Sequence, residues 1–175
     1  MDSLAATLLS IVLLASPSPV APPGGGPGRV SPAPDSAAEA AVAARVEIVR
    51  TRYGVPHVYA RDLEAMGFAL GWLQSEDYGS VVAEELVRAR GEYALHVGRD
   101  SVESDFASRP FYLRAVETFH RLEPATRAVY RGFAAGVSYY VRLNPGEFPE
   151  WMEPDFTAYD VHARDVQGWS RGDAR

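Results

Sequence analysis

The side chains able to do chemistry are few and scattered in this sequence. Four histidines occur, His57, His96, His120 and His162, and no two lie three to five residues apart. The spacing by which one helix offers two imidazoles to a metal ion is therefore missing. His57 follows a proline in a strand-like stretch and the others fall on helices or near helix ends, so ordinary structural roles are expected of all four. Two acidic pairs, Glu76-Asp77 and Glu84-Glu85, lie in a stretch of helical periodicity. A carboxyl buried beside its partner could serve as acid or base. With Arg88 three and four residues beyond Glu85 and Glu84, ion-paired or solvated carboxylates are the expected state. No serine sits in a Gly-x-Ser-x-Gly elbow. The absence of cysteine removes a thiolate nucleophile, a thiolate metal site and any disulfide. The 17 basic residues are all arginine, so neither a Schiff base nor a Ser-Lys dyad can be built. Gly98-Arg99-Asp100 and the Gly24–Gly28 run lack the strand-to-helix setting of a phosphate loop. The residues by themselves nominate no catalytic, cofactor-binding or metal-ligating side chain.

The elements that would have to position a site are more legible. Val46 to Arg52 alternates, Tyr53-Gly54 signals a turn, and Val55 to Ala60 reads as a return strand, which together predict a hairpin with Pro56 on an edge. Asp62 stands where an N-cap belongs. Leu63, Met66, Gly67, Leu70, Gln74, Tyr78, Val81, Val82, Leu86 and Ala89 then recur at intervals of three and four, predicting one long helix from Asp62 to Gly91. A shorter helix is expected over Pro110 to Arg121. Pro124 in a first helical position and the shared face of Val129, Phe133, Gly136, Val137, Tyr140 and Val141 predict another, stopped by Asn144-Pro145-Gly146. Thr157 with Asp160 three residues on resembles a capping box opening a last helix. A hairpin followed by helices makes the fold class α+β.

Leu4 to Ala15 is an apolar run of signal-peptide length, too short to span a bilayer, so export with cleavage between Ala15 and Ala21 is expected, to a secreted or periplasmic location. Seven of the thirteen prolines fall between Ser16 and Pro34, a composition that does not bury enough apolar surface to order itself. The expected organisation is a leader over 1–21, a Pro/Gly/Ala-rich linker over 22–44, an ordered domain over 45–170 and a polar tail over 171–175. A 47% hydrophobic content supports one ordinary core. Net charge of −6 argues against nucleic acid or anionic lipid as a partner.

One further pattern emerges from segments taken in order. Val46-Glu47-Ile48-Val49-Arg50-Thr51-Arg52-Tyr53-Gly54-Val55-Pro56-His57-Val58-Tyr59-Ala60 closely resembles the start of the α chain in the penicillin acylase family, which includes acyl-homoserine-lactone and aculeacin-type acylases. Gly67-Phe68-Ala69-Leu70-Gly71-Trp72-Leu73-Gln74-Ser75-Glu76-Asp77 and Arg88-Ala89-Arg90-Gly91-Glu92 with His96-Val97-Gly98 are similar to its next segments. Tyr130-Arg131-Gly132-Phe133-Ala134-Ala135-Gly136-Val137-Ser138-Tyr139-Tyr140, then Pro149-Glu150-Trp151 and Phe156-Thr157-Ala158-Tyr159-Asp160-Val161, continue the likeness, which covers residues 45 to 166. The resemblance implies a piece of the four-layer αββα sandwich of N-terminal-nucleophile hydrolases. It also implies a precursor cleaved into α and β chains, with the β chain of the same or a separately encoded precursor as partner. The first β-chain residue would attack a linear amide with its own α-amine as base. The family often binds calcium through ligands that the resemblance places outside this chain. No segment here resembles the family's Gly-Ser or Gly-Cys processing junction, so the nucleophile too is expected outside these residues, and the chain alone is expected to be inactive. The matched positions look like scaffold: Gly54 for a turn, Gly67, Gly71, Gly132 and Gly136 for close helix approach, Tyr53, Phe68 and Tyr78 for packing. Asp77 is expected to be buried and paired. Two other readings fit the same sequence, a secreted helical binding module that kept the scaffold and a remnant of a disrupted acylase gene.

Overall fold

The computed structural model describes residues 7–8 and 36–172. The elements are β1 (Thr7–Leu8), α1 (Ser36–Ala43), β2 (Val46–Arg50), β3 (Pro56–Ala60), α2 (Leu63–Tyr78), α3 (Ser80–Arg90), α4 (Ala94–Val97), α5 (Val102–Thr118), α6 (Pro124–Leu143) and α7 (Ala158–Gly172). Short 3-10 turns at Arg99–Ser101, Phe119–Arg121 and Pro145–Glu147 link the later helices. The leader expected over 1–21, apart from β1, and the linker up to residue 35 lie outside the described residues. Residues 36–43, which composition assigned to the linker, are helical, with Ala43 in the core and Glu39 buried.

The predicted hairpin forms. β2 and β3 pair antiparallel with Ile48 opposite Val58, and β1 adds two residues on the other side of β2. The turn closes through Thr51 N–H to Val55 O at 3.0 Å and needs Gly54, whose φ is +80°. Alternation sends Val46, Ile48 and Val58 toward the helices, while Glu47, His57 and Tyr59 face outward.

The single helix expected from Asp62 to Gly91 is two. It starts as predicted, with the Asp62 carboxylate accepting from Ala65 N–H at 2.9 Å, but it breaks at Gly79, where φ is 59° and ψ −135°. Apolar periodicity continues across the break, which is why periodicity missed it. The second piece ends at Gly91 in the left-handed region. The helix expected over Pro110–Arg121 begins earlier, at Val102, and carries Pro110 inside it. Tertiary ties outweigh the missing backbone bond. The Asp105 carboxylate accepts from Ala94 N–H at 2.6 Å, and Arg109 donates to the Arg90 carbonyl at 3.1 Å. α6 spans Pro124 to Leu143 as read, and the last helix, α7, runs from Ala158 to Gly172.

The centre of the fold is the crossing of α2 and α6. A Cβ built on Gly67 would lie 2.2 Å from Val129 O and one on Gly71 2.2 Å from Phe133 O. From the other side, a Cβ on Gly132 would lie 1.8 Å from Glu64 O and one on Gly136 2.1 Å from Phe68 O. Two glycines four residues apart on each helix therefore let backbone meet backbone. Beside this seam Phe68, Trp72, Tyr139 and Tyr140 pack, with Trp72 edge-on to Tyr140 at 4.9 Å between ring centres. Leu73, Leu86, Val87, Val137, Phe148, Met152 and Phe156 complete the core.

Candidate functional site

Each residue with chemical potential in the sequence has a place in this fold. His57 is exposed on the outer face of β3 and His120 is exposed in the turn after α5. His96 stacks on Trp151 at 4.4 Å and 15°. His162 is buried on α7 between Tyr130 and Phe119, and its Nδ1 has no hydrogen-bond partner. Burial pushes its imidazole below the ordinary value, with Asp165 opposing. Among the described residues no three histidine, aspartate or glutamate side chains gather as metal ligands would.

The acidic pairs are engaged by arginine and tyrosine. Arg50 of β2 reaches across to both Glu76 and Asp77, the latter at 2.9 Å. Asp77 is thus paired as expected, but at 46% side-chain exposure it is not buried. It lies in the last turn of α2, at the rim where the hairpin meets the helix. Tyr53 and Tyr78, expected to pack, are instead exposed at 80% and 67%, while Phe68 is fully buried. Glu84 accepts from the Tyr93 hydroxyl at 2.9 Å and from Ser80 at 3.0 Å, and Glu85 pairs with Arg164 at 3.2 Å.

The strongest polar constellation is one that sequence reasoning did not assemble. Arg90, at the end of α3, donates through Nε and Nη2 to the two carboxylate oxygens of Asp160 at 2.7 and 2.8 Å. Its remaining donors reach the Asp155 carboxylate at 2.8 Å and the Asp155 carbonyl at 3.0 Å. Asp160 is fully buried and also accepts from Thr157 N–H at 2.6 Å and Thr157 Oγ1 at 3.0 Å. This is the predicted capping box, used a second time as an arginine receptor. Burial works against the charge on Arg90, and the hydrogen bonds and attraction of Asp160 and Asp155 overcome it, so its pKa is raised. A guanidinium so held neither takes nor gives a proton, and both Asp160 oxygens are engaged. The constellation is a clamp fixing α7 to α3. Arg90 lies in one of the recognised segments and Asp160 in another, but no local signal connects residues so far apart in sequence.

A groove of about 340 Å³ opens between the α2–α3 junction, α6 and α7. Val82, Leu86, Phe133 and Val161 line it, with Glu85 and Arg164 at its mouth. There Tyr130 donates to Asp165 at 2.6 Å, and burial followed by that bond raises the phenol pKa. The groove is lined by no serine, threonine or histidine. No helix of the described residues is long and apolar enough to cross a membrane.

A hairpin layered on a glycine-seamed helix pair, with its carboxylates occupied by arginines, defines an α+β scaffold module. Its fold is that of a thermostable penicillin G acylase from Alcaligenes faecalis, matched with a TM-score of 0.62 over 74% of this chain and 75% of that one at 24% identity. The penicillin amidase family model matches residues 45–174, and the chain belongs to that family. Relatives include acyl-homoserine lactone acylase PvdQ of Pseudomonas putida, 32% identical over 103 residues, which are 53% of this chain and 13% of that protein. PvdQ of Pseudomonas syringae pv. tomato is 31% identical over 117 residues, 61% of this chain and 15% of the relative. Aculeacin-A acylase of Actinoplanes utahensis is 45% identical over 51 residues, 29% of this chain and 6% of the relative. The chain thus spans less than a sixth of the length of these relatives.

Proposed function

We propose that this chain is the α-chain segment of an exported, penicillin-acylase-type amidohydrolase, secreted or periplasmic, that hydrolyses linear N-acyl amides. In this reading it is non-catalytic alone and completes its active site with a β chain whose first residue is the nucleophile. The observation that carries the proposal is the family match along 45–174, which falls on a scaffold whose polar side chains are committed to holding helices together. Lengths support it as well. The solved penicillin G acylase chain is matched over three quarters of its length, the curated relatives over less than a sixth, so the solved chain is several times shorter than they are. A segment of this kind therefore has a counterpart as a short chain of its own. Unfilled surface points the same way: Tyr59 and Val55 stand exposed on or beside the hairpin, and Phe106 is 82% exposed on α5.

The names of the relatives make N-acyl homoserine lactones and acylated peptides sensible substrates to try. The chain, alone and co-expressed with a family β chain beginning at its nucleophile, is assayed against penicillin G, a long-chain acyl-homoserine lactone and a chromogenic anilide. The expected result is no turnover by the chain alone and amide hydrolysis by the co-folded pair. Turnover by the isolated chain would overturn the non-catalytic assignment. Failure to associate with any family β chain would favour the binding module or the remnant.

A further inference from the structure

We propose that α7 is a proton-sensitive latch, held more weakly once His162 is protonated. The imidazole lies in the second turn of α7, sandwiched between two rings from neighbouring elements. Tyr130 of α6 stacks against it at 5.9 Å and 29°, and Phe119 of the turn after α5 meets it at 6.1 Å. Its Nδ1 is buried without a hydrogen-bond partner. In the neutral ring that nitrogen can stand as the unprotonated acceptor; in the imidazolium it becomes a charged donor facing nothing that accepts.

The surroundings decide how costly that is. From α6 the titratable group facing His162 is Tyr130, whose hydroxyl is already committed to Asp165. From the α5 side the facing group is the apolar ring of Phe119. From its own helix Asp165 supplies the attraction that favours the charge, and that carboxylate is one turn away and shared with Tyr130. The face of Tyr130 attracts a cation weakly, yet burial wins and holds the imidazole below its ordinary value.

α7 is held by Arg90 to Asp160, Arg164 to Glu85 and the Gln167 amide to Ala89 O at 3.1 Å, and by apolar contacts of Val161 and Ala163 with the core and of Tyr159 with Phe119. An unpaired buried charge at His162 weakens that attachment without abolishing it. The sign follows from proton counting. Undocked, His162 binds protons with its ordinary affinity; docked, it binds them less well. Docking is complete above about pH 6.5 and weakens as pH falls from there to the depressed value, by up to about tenfold per pH unit for one proton. Release would uncover the Leu86–Phe133 wall of the groove. The inference goes beyond the acylase reading and does not rest on it.

Two measurements on the 175-residue chain test it. An NMR titration of the His162 ring should give a midpoint below the ordinary histidine value. Hydrogen exchange of the α7 amides, corrected for the intrinsic rate, should lose protection between pH 7.5 and 5.5, by at most about tenfold, while the amides of the α2–α6 seam keep theirs. In His162→Phe, and in His162→Gln should the larger ring disturb packing, that loss should disappear. A midpoint at or above the ordinary value would overturn the proposal, as would an unchanged pH profile of α7 protection in a folded variant.

Discussion

Gly132→Ala tests the architecture most directly, because the structure fixes both the clash and its control. The new Cβ would stand 1.8 Å from the Glu64 carbonyl oxygen, with the Glu64 carbonyl carbon and Phe68 N each at 2.8 Å. An ordinary carbon-to-oxygen contact is about 3.3 Å, so α6 must move away from α2 by about 1.5 Å. All three obstructing atoms are backbone, so no side chain can rotate to make room. A gap of even 0.5–1 Å forfeits roughly a quarter to a half of each dispersion contact it opens, and the Phe68, Trp72, Tyr139 and Tyr140 cluster lies along that gap. Overpacking typically costs about 1–3 kcal/mol and more where nothing can yield. Against this stands a helix-propensity gain of about 1 kcal/mol for alanine over glycine. With backbone on every side the cost falls at or beyond the top of that range, so the expected net loss is about 2 kcal/mol or more, read as the shift in urea midpoint at unchanged slope. Gly146→Ala is the control, since a Cβ there meets nothing within 4 Å, and it should stay within about 0.5 kcal/mol of the parent. If Gly132→Ala folds and matches the parent in stability, the backbone seam is not what holds α2 to α6.

Two further outcomes follow from the clamp and the helix break. Arg90→Met should destabilise the chain by about 3–5 kcal/mol by leaving Asp160 buried and uncompensated, with chemical denaturation as the measure. The double variant with Asp160→Leu should recover part of that loss. Gly79→Ala should cost about 1–2 kcal/mol, because a Cβ is strained at a φ of 59° although space around it is open. Thermal unfolding compared with Gly146→Ala separates this backbone strain from any effect of the methyl group itself.

What could be read in advance follows the range of the forces involved. The hairpin, the start of α2 at Asp62 and the whole of α6 rest on near neighbours: alternation, a capping carboxylate, a proline in the first turn. The four seam glycines were legible through the family resemblance, whose matched segments contain all four. The break at Gly79 was hidden because Leu70, Gln74, Tyr78, Val81 and Val82 keep helical spacing through it, and a change of direction leaves periodicity intact. α5 was misplaced for the opposite reason: its expected start at Pro110 is local, and Asp105 and Arg109 reaching other elements carry the helix back past it. The Arg90–Asp160 clamp joins residues whose individual roles, one near a helix end and one in a cap, were visible, but whose meeting is purely tertiary. Tyr53 and Tyr78 were expected to pack as part of the matched scaffold, and in this fold they are surface.

Arg50 has a consequence for how the chain assembles. α2 ends with Glu76 and Asp77 and has no basic residue in its last turn, so two negative charges sit where the aligned peptide dipoles already place negative potential. Taken alone, this end of the helix would fray. The guanidinium that answers both carboxylates comes from β2, and Arg45, just ahead of β2, answers Asp62 and Glu64 at the helix start. The C-terminal end of the helix therefore carries its electrostatic remedy on another element, and it does not reach full stability before the hairpin has arrived. Such an arrangement discourages a half-formed intermediate in which α2 stands without its strands, and it makes residues 45–78 one cooperative folding unit rather than two.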